Sequence, residues 1–180
     1  MNHVVENTQC LACGSDNIHT ALDLGQQPLA NSYKDTANES ESCYPLGVRL
    51  CKECYHLQLS HTVDPEIIYK NYLYATGTNQ TIKDYSKWFA EFCLESCTDV
   101  KTVLDIGCND GTQLDYFKSL GVDTYGIDPA ENLYPRSSVN HTITCDFFGP
   151  DAVAELKKVD YDIIVAQNVC AHNPNPYGFI

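Results

Sequence analysis

The sequence predicts an α/β fold: a partial parallel sheet of about four strands with helices on its faces, preceded by a small domain held together by cysteines. Three observations predict it. Strand-like and helix-like stretches alternate from residue 101 onward, two Cys-x-x-Cys pairs stand within the first 60 residues, and a glycine-bearing loop joins the first alternating strand to a helix. The chain has 180 residues, 43% of them hydrophobic, enough to build a core. With 24 acids against 11 Lys and Arg, the charge balance excludes a binder of phosphate backbones, so no nucleic-acid partner is expected. No apolar run approaches the ~20 residues of a membrane span, and residues 1–10 lack the basic start and apolar stretch of a signal peptide. These features predict a cytoplasmic protein, without a membrane partner, whose thiols are reduced.

Residues 1–60 hold five of the 10 cysteines and are rich in Gly, Pro, Asn and Ser. They read as loops and short strands, 47–50 for example. A segment of this size buries little apolar surface and needs a staple. Cys10-Leu-Ala-Cys13 and Cys51-Lys-Glu-Cys54 supply one: each pair puts two thiolates on a tight turn, and two turns give the four soft ligands of a tetrahedral zinc site. The 37 intervening residues cost little extra closure entropy. Gly14 suits the turn after the first knuckle, and Tyr55 does so less typically after the second. Thioredoxin-type redox chemistry would require a βαβ context that neither pair has. Cys43, Cys93, Cys97, Cys108, Cys145 and Cys170 read as ordinary small apolar residues.

Residues 61–98 read as a helical connector. Asp64 and Pro65 form a helix start, as N-cap and first helical residue. Tyr69, Tyr72 and Tyr74 follow. Over 81–97, Ile82, Tyr85, Phe89 and Phe92 recur at helical spacing, with Trp88 widening that apolar face.

From 99 to 180 the pattern predicts a strand at 102–106, a helix at 112–120 with Leu114, Phe117 and Leu120 on one side, and strands at 124–127, 142–145 and 162–166. A further helix is expected at 150–158. The loop Gly107-Cys-Asn109-Asp-Gly111 lies between the first strand and its helix. Gly107 permits a sharp turn, Gly111 permits close approach, and Asn109 tolerates left-handed geometry. The spacing matches neither the dinucleotide fingerprint nor a P-loop. Asp105 and Asp128 end the first and second strands, and Asp146 follows the third. Acids at the carboxyl ends of successive parallel strands line the edge where such sheets bind ligands. Asp128 can accept from both ribose hydroxyls, and Asp146 can meet an adenine amino group with Phe147 or Phe148 against the ring.

Asp105-Ile-Gly107-Cys-Asn109-Asp-Gly111 resembles motif I of class I S-adenosylmethionine-dependent methyltransferases. Leu24-Gly25-Gln-Gln-Pro28-Leu29-Ala30-Asn31, Tyr44-Pro45-Leu46, the second knuckle with Tyr-His56-Leu-Gln58-Leu59, and Tyr72-Leu-Tyr74-Ala-Thr76-Gly77-Thr78 resemble one subfamily. Its members are zinc-containing C-methyltransferases of nucleotide-linked keto-deoxysugars. Gly126-Ile-Asp128-Pro129-Ala and Asn168-Val-Cys-Ala-His172 continue the resemblance. It implies a Rossmann-like methyltransferase sheet, a S-adenosylmethionine cofactor, a structural zinc ion and a nucleotide-sugar partner. It also implies that Asp105, Gly107, Asn109, Gly111, Asp128, Asp146, Phe147 and Asn168 bind the cofactor. Tyr72 and Tyr74 would face the sugar or the methionine end, and His172 would serve acid–base chemistry. His3, His19, His61 and His141 are expected at the surface, and His56 near the metal. Because such sheets normally have seven strands, the chain is expected to be an N-terminal portion, to bind the cofactor weakly and not to turn over alone. Methylation of another small acceptor, or a non-catalytic zinc-stapled module, are the competing expectations.

Overall fold

The structure is a computed structural model describing residues 3–179. The described residues form two compact units: one runs through Ile68 and includes the segment from Asn173, and the other is Tyr69–His172.

The first unit is built from five strands: β1 (Val4–Glu6), β2 (Ile18–Pro28), β3 (Cys43–Cys51), β4 (Leu57–Leu59) and β5 (His61–Val63). β2, β3 and β4 form an antiparallel sheet in that order, and β1 pairs with β5. β2 and β3 are longer than the short strands expected. The 11 residues of β2 are mostly exposed and its register slips between Thr20 and Leu22 and between Asp23 and Gln26, so no two-residue alternation marks it in the sequence. The two sheets are laced by Ser60, whose N–H donates to Gly47 O, while Ser60 O accepts from Asn7 N–H. A helix α1 (Pro65–Tyr69) follows, capped as expected by Asp64, whose Oδ1 accepts from Glu66 N–H at 3.1 Å.

The second unit contains α2 (Gln80–Ser96), β6 (Thr102–Ile106), α3 (Thr112–Ser119), β7 (Asp123–Ile127), α4 (Tyr134–Ser137), β8 (Thr142–Thr144), α5 (Pro150–Leu156) and β9 (Ile163–Val165). The strands form one parallel sheet in the order β8-β7-β6-β9. β6 is central and buries four consecutive residues, Val103 to Ile106, because parallel strands are covered on both faces. Leu114 and Phe117 of α3 are fully buried against Val103, Val165 and Ala90. Burial of each such side chain contributes about 1.5–3 kcal/mol. At the opposite end of β6 from the glycine loop, Asp162 Oδ2 accepts from the N–H groups of Lys101 and Thr102, which holds its carboxyl below the usual range.

Several details differ from expectation. The packed face of α2 only partly matches the expected one: Ser86 and Ala90 are buried, and Phe89, Cys93 and Leu94 pack partly against the core, whereas Tyr85, Trp88 and Phe92 are exposed. Small residues let α2 approach α3, where Gln113 Nε2 donates to Ser86 O at 3.0 Å. Leu120 lies past the last turn of α3 and is exposed. Cys43, Cys97 and Cys145 are exposed rather than packed. Among the described residues no helix is long and apolar enough to cross a membrane. A short helix, α6 (Pro176–Phe179), follows, and Ile180 lies outside the described residues.

Candidate functional site

The carboxyl edge of the β8-β7-β6-β9 sheet gathers most of the residues singled out by sequence. The chain leaves β6 through residues 107–111 in a run that an ordinary sequence resists. Gly107 has φ +74°, Asn109 +53° and Gly111 +82°. A Cβ on Gly107 would stand 2.4 Å from Val169 Cγ2, and one on Gly111 would meet His141 Cδ2 at 3.1 Å. The turn is pinned by Gly107 N–H donating to Ile127 O at 2.7 Å. Asn109 N–H donates to Asp128 Oδ2 at 2.8 Å, and Ala130 N–H donates to Asp128 Oδ1 at 2.9 Å. The two strand ends are thereby one structure.

Asp128 keeps a lone pair on each oxygen beyond these bonds, so it can still accept from a pair of hydroxyls. Burial raises its carboxyl above the ordinary value, against the opposing pull of the Ala130 and Asn109 N–H groups. Asp105 is fully buried inside β6 and is pushed up to about 8, first by burial and then by the charge of Asp128. Glu131, Asp128 and Asp146 together also raise the Cys145 thiol, after burial. An edge that crowds carboxyls suits a cationic ligand.

The remaining candidates are more dispersed. Asp146 is exposed, and its Oδ1 accepts from Phe147 N–H at 2.7 Å. Asn168 follows β9 in left-handed geometry, φ +55°. His172 ends a 3-10 turn, Cys170–His172, and is exposed. The rings of Tyr72 and Tyr74 meet edge to face at 6.5 Å. His141, expected at the surface, is packed: its side chain is 2% exposed, Nδ1 pairs with Thr124 Oγ1 at 2.7 Å, and Nε2 meets Asp115 Oδ1 at 3.1 Å. Burial lowers its imidazole below the ordinary value, with Asp115 opposing.

Sequence reasoning overlooked Asp110. Its side chain is fully buried and bonded on both oxygens. Oδ1 accepts from Thr112 N–H and Oγ1, and Oδ2 accepts from Gly77 N–H at 2.9 Å and pairs with Arg136 Nη1 at 2.6 Å. The only signal was its place between Asn109 and Gly111.

In the other unit, the Sγ atoms of Cys10, Cys13, Cys51 and Cys54 lie within 4.8 Å of one another. The Cys10–Cys54 and Cys13–Cys51 sulfurs are each 3.6 Å apart. A tetrahedron with Zn–S bonds of about 2.3 Å sets its sulfurs about 3.8 Å apart, so the donor set fits that ion. Gly14 and Tyr55 follow the knuckles at φ +73° and +61°, the left-handed turns the motif needs. Without an ion the clustered thiols share their protons: Cys51 is drawn down, foremost by the Cys54 backbone N–H, while Cys13 and Cys54 are pushed up. Gln58, buried on β4, holds the first knuckle: Oε1 accepts from Leu11 N–H at 2.7 Å and Nε2 donates to Gln9 O at 2.8 Å.

Comparison with known proteins gives two family matches. A zinc binding domain model matches residues 10–69, and a methyltransferase domain model matches residues 78–180. The C-methyltransferase NovU of Streptomyces niveus is 29% identical over 129 residues, which cover 69% of this chain and 31% of that protein. A ubiquinone biosynthesis O-methyltransferase of Burkholderia vietnamiensis is 31% identical over 85 residues, covering 44% of this chain and 37% of its own. The chain thus spans about a third of the length of these curated relatives. Among solved structures, CalS10, an amino pentose methyltransferase from Micromonospora echinaspora with bound SAM, superposes with a TM-score of 0.39 at 17% identity, covering 53% of this chain and 39% of its own.

Proposed function

Since the chain belongs to the methyltransferase domain family, we propose that the carboxyl edge of its sheet binds S-adenosylmethionine for methyl transfer to a carbon of a nucleotide-linked keto-deoxysugar. The observation that carries this reading is the bond from Asn109 N–H to Asp128 Oδ2, which makes the glycine loop and the second acidic strand end a single cradle. When bound, the cofactor supplies an electrophilic methyl group on a sulfonium. Asp128 accepts from the ribose hydroxyls. Residues 107–111 approach the ligand through backbone, and Gly111 lets α3 begin beside it. Asp105, buried and held protonated beside Asp128, lies beneath the edge, and the negative charge that suits the cofactor's sulfonium comes from the exposed and part-buried acids around it. Asp146 and Phe147 meet the adenine, and Asn168 borders the edge beyond β9.

His172 takes the proton from the acceptor carbon beside the ketone. Tyr72 and Tyr74 orient the acceptor and exclude water around the reacting centre. A carbon acceptor is favoured over the oxygen acceptors of the ubiquinone-pathway relatives because the match to the C-methyltransferase NovU extends over 69% of the chain and theirs over 44%. Cys10, Cys13, Cys51 and Cys54 hold one zinc ion in a closed, all-cysteine site, which is structural.

Calorimetric titration with S-adenosylmethionine tests the cofactor. Saturable binding that Asp128→Ala abolishes is expected, and equal binding by that variant refutes the cradle. Product analysis with a keto-deoxysugar nucleotide and with a quinol acceptor, using a full-length version, tests the substrate. Methyl appearing on the quinol oxygen alone refutes the sugar assignment.

A further inference from the structure

We propose that Asp110 and Arg136 are positioning residues for this site: they fasten residues 72–78 across the glycine loop and so set where Tyr72 and Tyr74 stand. The inference rests on the reading of the edge as a S-adenosylmethionine site.

Residues 70–79 form a strap with no regular element apart from the 3-10 turn Thr76–Thr78, yet they are tied down along their length. Asn109 Oδ1 accepts from Thr76 N–H at 2.8 Å and from Thr76 Oγ1 at 3.0 Å, while its Nδ2 donates to Tyr74 O at 3.0 Å. Asp110 Oδ2 takes the next amide, Gly77 N–H, at 2.9 Å. Further back, Asn132 bonds both Tyr72 N–H and Tyr72 O at 2.9 Å, and Glu131 N–H donates to Lys70 O at 2.9 Å. Every one of these fasteners stands on a loop that follows β6 or β7. Those are the loops that carry the acidic cradle.

Within the strap Asp110 has a role no ligand can take over. Its carboxylate is fully buried, and both oxygens are engaged by Thr112, Gly77 and Arg136. It does not reach out to a small molecule. Arg136 lies on α4, half exposed, with Nη2 also 3.4 Å from Thr112 Oγ1. The strap backbone rests directly on this pair: a Cβ on Gly77 would come 2.3 Å from Arg136 Nη2 and 2.6 Å from Thr112 Oγ1. Loss of the guanidinium leaves a buried carboxylate short of its counter-charge beside the amide that anchors the strap. The disturbance then passes from Gly77 to Tyr74, three residues away along the strap.

The test uses the whole chain, S-adenosylhomocysteine as probe, and hydrogen exchange read by peptide. Wild type is expected to bind the probe and to protect amides 74–79. Arg136→Gln is expected to exchange those amides about tenfold faster and to bind about tenfold more weakly, the worth of one hydrogen bond to a charged group. Amides of β6 keep their wild-type protection, and Arg136→Lys recovers most of both losses, as a restored charge should. Gly77→Ala, which lifts the strap from the other side, shows the same pair of effects and decides the matter if Arg136→Gln loosens β6 as well. Equal affinity in Arg136→Gln and Gly77→Ala, beside a wild type that binds, overturns the inference alone. A wild type that binds no S-adenosylhomocysteine overturns the reading of the edge and the inference with it.

Discussion

Gly107→Ala is the most exacting test of the loop geometry, because two separable costs fall on one methyl group. The backbone there has φ +74°, and an L-residue in left-handed geometry costs about 1–2 kcal/mol. The new Cβ would lie 2.4 Å from Val169 Cγ2, far inside contact distance. Valine has little rotamer freedom with which to yield, so the backbone after β9 must shift, at roughly 1–3 kcal/mol for such overpacking. The sum is roughly 2–5 kcal/mol against a total stability of about 5–15 kcal/mol. Urea unfolding followed through Trp88, the chain's one tryptophan, measures it in Gly107→Ala, Val169→Ala and the double variant. Truncating Val169 removes the clash but not the φ cost, so the double variant should be more stable than additivity predicts by about 1–3 kcal/mol. Additive effects, or a single-variant cost under about 0.5 kcal/mol, would refute the reasoning.

Three further outcomes are expected. Cys51→Ser should lose the roughly one zinc per chain found by elemental analysis of wild type, and with it the proteolytic resistance of the first 60 residues; full metal retention contradicts the assignment. Asp105, held up to about 8 by burial and then by Asp128, keeps in the folded state a proton that the unfolded chain releases near pH 4. Stability therefore falls as pH rises from about 4 to about 8, and Asp105→Asn flattens that slope in a pH series of unfolding curves. His141 has the opposite sign: burial keeps its imidazole neutral, so the unfolded chain takes up a proton that the folded one refuses. Stability is lost as pH drops below about 6.5, and His141→Gln should remove that loss; an unchanged acid limb would show that the ring is not held neutral.

The strand–loop–helix around residues 102–119 was legible because its causes are local. A short apolar run, a glycine before left-handed positions and a helical period each leave a mark within a few residues. The knuckles were legible for the same reason, down to the turns at Gly14 and Tyr55. The packed face of α2 was legible only in part, because apolar spacing reports the helix period but not which side small residues allow a neighbour to approach. Aromatic rings at Tyr85, Trp88 and Phe92 dominated the pattern and proved exposed. His141 was misjudged because its partners, Thr124 and Asp115, lie 17 and 26 residues away. The strap is the clearest case: its fasteners join residues 33 to 61 positions apart, most of them from side chain to backbone, and no local period records such bonds.

Position 109 shows why the loop carries Asn-Asp where backbone freedom alone would call for glycine. Glycine would adopt φ +53° more easily. It would also release the three bonds that the asparagine amide makes to Thr76 and Tyr74. At about 0.5–1.5 kcal/mol each, the three together contribute about 1.5–4.5 kcal/mol, which outweighs a conformational cost of at most about 1–2 kcal/mol over most of that range. The balance therefore depends on the strap being in place. The same reasoning holds for Asp110, whose burial is tolerable only while Gly77 and Arg136 stay against it. Loop and strap thus stabilise each other: the loop's backbone amide is committed to Asp128, its side chains to residues 74–77, and neither conformation is favourable without the other.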